Sequence, residues 1–114
     1  MMSTSLTLDT ARNDDGKLVL TAVGEIDLSN IDAFDQALAT ATTEAADSGE
    51  TLIVDLTAVE YLDSAAINAL FARADHIHVI AHPVLMPVLT ISGLSELVTI
   101  ESVRRQQNTD AAPD

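Results

Sequence analysis

At 114 residues, 47% of them hydrophobic and none cysteine, the chain is sized for one aliphatic-cored domain and excludes disulfides, thiolate metal sites and thiol catalysis. Its formal net charge of −13 argues against nucleic acid or an anionic membrane surface as partner, since both would repel it, and favours a partner with a basic face. Neither Met1 to Leu8 nor the mostly apolar Val79 to Leu89, broken by His82, Pro83 and Pro87, reads as a secretory signal or a membrane span, so a soluble cytoplasmic protein is expected.

Leu6, Leu8 and Thr10 alternate with other residues and predict a first strand, and Asn13-Asp14-Asp15-Gly16 is a turn signal. Lys17 to Val23 is the returning strand. Gly24-Glu25-Ile26-Asp27 leaves it and leads to Ser29, read as a helix N-cap with Asp32 in the first turn. Ile31, Phe34, Leu38, Ala41 and Ala45 recur in steps of three and four, one face of an amphipathic helix closed by Ser48-Gly49. Thr51 to Leu56 is a short strand of the buried, parallel kind. A second helical stripe follows in Ala66, Ile67, Leu70, Phe71 and Ala74, then a buried strand over His76 to Ala81. Pro83 and Pro87 confine a third helix, expected to start near Val84, to turn Val88, Leu89 and Ile91 inward and to stop at Gly93. Leu97 to Ser102 is the last strand, and residues 106–114 read as a disordered tail to a domain over 1–105. A leading hairpin followed by alternating helices and strands implies a single α/β domain, a mixed β-sheet with helices packed on it.

The stretch from Val54 to Leu70 is the most informative. It begins as a strand, turns at Asp63-Ser64 and becomes an apolar-faced helix, which sets one hydroxyl at a helix N-terminus beside a carboxylate. Such an end carries unpaired N–H groups and a partial positive charge, so it suits a capping serine and also tolerates an added phosphate. From the residues alone, Ser64 is either.

Other chemistry has less behind it. A serine nucleophile needs a general base, and neither a Gly-x-Ser-x-Gly elbow nor a neighbouring histidine is present. His76 and His78 would share a strand face, but a metal needs a third ligand and His82 lies at the strand end or beyond, so no metal is expected. Asp14, Asp15 and Asp55 could make a phosphoacceptor cluster, which would need a lysine late in the chain; the sole lysine is Lys17. Glu25, Asp27, Glu60 and Asp63 could pair for acid–base work, yet nothing near them suggests a substrate pocket. No glycine-rich phosphate loop occurs, so the chain is not expected to bind ATP or another cofactor.

Asp63-Ser64-Ala65-Ala66-Ile67 resembles the Asp-Ser-(Ser/Thr)-Gly-(Leu/Ile) signature of the anti-sigma factor antagonists of the STAS family. Gly24-Glu25-Ile26-Asp27 and Ser92-Gly93-Leu94 are similar to two further landmarks of that family and fall in the same order. The resemblance spans roughly Leu6 to Ser102. It implies the STAS fold and a phosphorylation site at Ser64. It also implies an anti-sigma factor partner that is itself a serine kinase, a phosphatase that resets the switch, and no catalysis by this chain. Docking would use the loops carrying Glu25, Asp27, Glu60 and Asp63, with Ala65, Ala66 and Ile67 beside Ser64. Ala65 and Ala66 replace the second hydroxyl and the glycine of the signature, and the interval from Ser64 to the next strand is shorter than is usual in the family. A STAS-type module that responds to a ligand or scaffolds a complex, with Ser64 only capping, is the alternative.

Overall fold

The structure, a computed structural model, describes residues 5–103. The boundary at 105 and the tail over 106–114 lie outside the described residues. The hairpin forms as the alternation predicts, with β1 (Leu6–Arg12) antiparallel to β2 (Leu18–Ile26). Between them the Asn13 side-chain oxygen accepts from the N–H groups of Asp15 and Lys17 at 2.9 and 3.0 Å, an Asx turn that fixes the reversal.

β2 continues three residues past the expected Val23. Gly24 makes this possible: it sits at φ 117°, and a Cβ there would run into the Ser5 carbonyl oxygen. That same oxygen accepts from Glu25 N–H at 3.1 Å, so β1 and β2 stay joined through an irregular stretch.

Helix α1 (Ile31–Asp47) buries Phe34, Leu38, Ala41 and Ala45, the stripe read from the sequence. Its cap is a correction. Asn30, not Ser29, is the N-cap, and no side chain caps it. The Ser29 hydroxyl donates instead to Asp27 Oδ1 at 2.6 Å, while the Asn30 amide turns back to the Glu25 carbonyl.

Strand β3 (Leu52–Leu62) is far longer than Thr51 to Leu56. It pairs in parallel with β2 to its end, and with β4 (Ile77–Ala81) only as far as Leu56. A short β5 (Ile100–Ser102) completes a five-stranded sheet of order β1-β2-β3-β4-β5, parallel except for β1. Parallel neighbours need crossovers, and right-handed crossovers that all advance in one direction bring their helices to one face. Period-two burial agrees: Leu18, Leu20 and Ala22 in β2, Leu52, Val54 and Leu56 in β3, and Ile77, Val79 and Ala81 in β4 all face the helices. No polar or charged side chain is buried among the described residues, so any functional chemistry lies at the surface.

The later elements depart from the sequence reading. Helix α2 (Ser64–Ala72) ends before Ala74, and His76 closes a 3-10 turn instead of opening β4. After β4 comes a 3-10 turn, Pro83–Leu85, and then α3 (Met86–Ile91). Leu85 and Leu89 turn inward, whereas Val88 and Ile91 are 37% and 86% exposed. Two apolar stripes compete on this segment, and the one carrying Leu85 and Leu89 takes the core. Gly93 ends the helix as expected. A further 3-10 turn at Leu94–Glu96 then delays the last strand from Leu97 to Ile100, with Leu94 and Val98 buried.

Candidate functional site

At the C-terminal ends of β2 and β3 two loops are tied together by one carboxylate. Asp63 has extended backbone (φ −96°, ψ −176°) and is the N-cap of α2. Its Oδ1 accepts from Ala66 N–H at 3.1 Å and its Oδ2 from Leu28 N–H at 3.0 Å, while its own N–H donates to the Ile26 carbonyl at 3.2 Å. With Asp63 in the capping position, Ser64 becomes the first helical residue, so the reading of Ser64 as the capping serine is corrected. The Ser64 side chain is exposed and makes no hydrogen bond among the described residues. None of the described hydrogen bonds uses the N–H of Ser64 or Ala65, so both remain available at the positive end of the helix dipole.

The facing loop is built from Asp27 to Asn30. Asp27 Oδ1 accepts from Ser29 N–H at 2.8 Å and from the Ser29 hydroxyl, and Asn30 Oδ1 accepts from Asp27 N–H at 3.0 Å. Of the four carboxylates expected at a docking rim, Asp27 and Asp63 therefore hold the loops in shape. Glu60 is exposed, and Glu25 is half-buried opposite Tyr61 in the β2–β3 register. Ala65 is half-buried. Ala66 and Ile67, expected at the docking surface, are 0% and 6% exposed and pack under the helix start, because the period of α2 turns them to the sheet. They support the surface from beneath.

Two exposed apolar residues here escaped the sequence reading, Leu28 at 76% and Tyr61 at 51% exposure. Leu28 carried a signal in principle: it is an apolar residue among Asp27, Ser29 and Asn30, outside the stripe of α1. Tyr61 carried none, since β3 was read as ending before it.

The remaining candidates fall elsewhere. His78 Nε2 lies 3.5 Å from Glu101 Oε1, and His82 Nδ1 accepts from Val84 N–H at 3.0 Å, capping the 3-10 turn. No group of three or more His, Cys, Asp or Glu residues among those described is placed to hold a metal ion. Asp14 and Asp15 lie in the hairpin turn, and Asp55 accepts from the backbone and hydroxyl of Thr57. No helix among the described residues is long and apolar enough to cross a membrane.

The STAS domain family model matches residues 8–106. None of the curated proteins matches the chain. Among solved structures, it is similar to an anti-sigma factor antagonist from Mycobacterium paratuberculosis, at 28% identity and a TM-score of 0.74 over 87% of each chain. It is similar in fold to the anti-sigma factor antagonist SpoIIAA in its unphosphorylated form, at 15% identity and a TM-score of 0.62, covering 84% of this chain and 89% of that one. A protein of the DUF3478 family with a SpoIIAA-like fold, from Shewanella loihica PV-4, aligns at 16% identity and a TM-score of 0.52 over 92% of this chain and 90% of its own.

Proposed function

The chain belongs to the STAS domain family, and from that premise we propose that it is an anti-sigma factor antagonist switched by phosphorylation of Ser64. Unphosphorylated, it binds an anti-sigma factor in the cytoplasm and so releases a sigma factor. The anti-sigma factor is also a serine kinase; it transfers phosphate to Ser64, which ends the contact, and a phosphatase restores it. This chain acts as binder and substrate and performs no catalysis of its own.

The observation that carries the reading is the state of Ser64: an exposed hydroxyl with no hydrogen bond among the described residues, on the first residue of a helix whose cap is supplied by Asp63. A hydroxyl with no structural duty can be modified without dismantling the fold. A phosphate adds roughly −1.5 to −2 charge at neutral pH. The unpaired N–H groups of Ser64 and Ala65 favour it locally, so the helix need not melt. A partner that had docked closely over this point would meet the bulk, the desolvation cost and repulsion from its own carboxylates. The same charge that the helix accepts, the interface rejects.

Incubation with the cognate kinase and ATP, followed by intact mass and peptide mapping, tests the assignment. One added phosphate on Ser64 is expected. A phosphate on Ser29, Ser92 or Ser95 with Ser64 unmodified would overturn it.

A further inference from the structure

Leu28 is the most exposed leucine among the described residues, and it stands in a loop held with unusual firmness. Its own N–H is fixed by Asp63 Oδ2, and on either side Asp27, Ser29 and Asn30 are locked to one another and to the Glu25 carbonyl. Single exposed apolar residues are common on protein surfaces and need no explanation by themselves. This one differs in two ways. The hydrogen bonds around it hold an apolar side chain in water, where it contributes nothing to the core. They also run through the carboxylate that caps the helix of Ser64, so Leu28 and Ser64 are set in one rigid frame.

We propose that Leu28 is the apolar anchor of the docking surface and that Asp63 is the positioning residue holding it in register with Ser64. The partner group that fits is an aliphatic pocket with Arg or Lys at its rim, since Asp27 adjoins the leucine in the loop and Glu25 and Glu60 lie on the strands that lead to this end. A leucine already fixed in its bound position loses little conformational freedom on docking, so its burial counts almost fully toward affinity. The proposal rests on the reading of the chain as an anti-sigma factor antagonist and adds the residue that gives the contact its hold.

The test is titration of a purified anti-sigma factor from the same genome against wild-type protein, Leu28→Ala, Leu28→Met and Leu97→Ala. Leu97 is also an exposed leucine (59%), but it precedes β5 at the opposite end of the parallel strands. Leu28→Ala is expected to bind about fiftyfold more weakly, mainly through faster dissociation, as loss of three buried carbons implies. Leu28→Met should bind nearly as wild type, and Leu97→Ala should equal it. All four should melt together, because neither leucine is in the core. Asp63→Asn keeps an oxygen for Ala66 N–H but loses an acceptor for Leu28 N–H. It should weaken binding in the wild-type background and add little to Leu28→Ala, the signature of two residues acting as one. Wild-type binding with Leu28→Ala unimpaired overturns the anchor; full additivity of the two changes overturns the positioning role. A wild-type chain that binds no anti-sigma factor overturns the functional reading, and the anchor falls with it.

Discussion

Asp63 and Ser64 are neighbours with opposite duties. The carboxylate is spent on structure, with both oxygens engaged, whereas the hydroxyl is spent on none. Their substitutions should therefore separate stability from function. Asp63→Ala removes a helix cap and a loop tie and should cost about 1–2 kcal/mol in denaturant unfolding. Ser64→Ala should stay within about 0.5 kcal/mol of wild type, as expected of an exposed position that makes no contact. Binding should show the reverse pattern at Ser64: alanine keeps affinity for the anti-sigma factor and glutamate weakens it. A Ser64→Ala variant that loses as much stability as Asp63→Ala would return the cap to Ser64.

At the scale of elements, what was legible in the sequence was whatever local pattern decides alone. The stripe of α1 and the Asx turn of the hairpin need only their own residues. The STAS resemblance, which rests on short signatures at element junctions, pointed to a candidate site in loops that the fold puts at the ends of β2 and β3. What stayed illegible was decided by partners distant in sequence. Leu85 and Leu89 displaced Val88 and Ile91 from the core only because the sheet selects one of two apolar stripes. One miss was local: Ser29 looked like a cap, but its hydroxyl goes to Asp27 two residues back. The burial of Ala66 and Ile67 was legible in the stripe of α2, and only their expected place at the docking surface was not met. Gly24 is a case where the signature has a steric reason. Its positive φ and the approach of the Ser5 carbonyl leave no room for a side chain. Gly24→Ala should cost about 1–3 kcal/mol and disturb the β2 end that carries the Asp27 loop. Gly49→Ala has a similar backbone sign but nothing within 4 Å of the added carbon, so it should cost less. Equal losses in thermal unfolding of the two variants would remove the steric argument.

At the scale of the whole molecule, the described residues bury no polar or charged side chain in their apolar core, and the chain carries a net charge of −13. Among the described residues no buried polar side chain links Ser64 to the interior, so a charge added there should leave the fold intact. The surface charge should steer a basic partner, and steering acts on association rate more than on dissociation. Screening length falls from about 10 Å at 0.1 M salt to about 3 Å at 1 M, so the on-rate should drop across that range with little change in off-rate. Glu60→Gln, at the exposed end of β3, should flatten this dependence, and Asp9→Asn on β1 should not. An on-rate indifferent to salt in stopped-flow mixing would assign the acidic surface to solubility alone. The central claim, that one phosphate on Ser64 turns binding off while leaving the fold intact, is tested most directly by calorimetric titration of the anti-sigma factor with unmodified and Ser64-phosphorylated protein. The account predicts binding by the unmodified chain and a loss of about a hundredfold or more on phosphorylation, with matching circular dichroism spectra. Equal affinities of the two forms would contradict it.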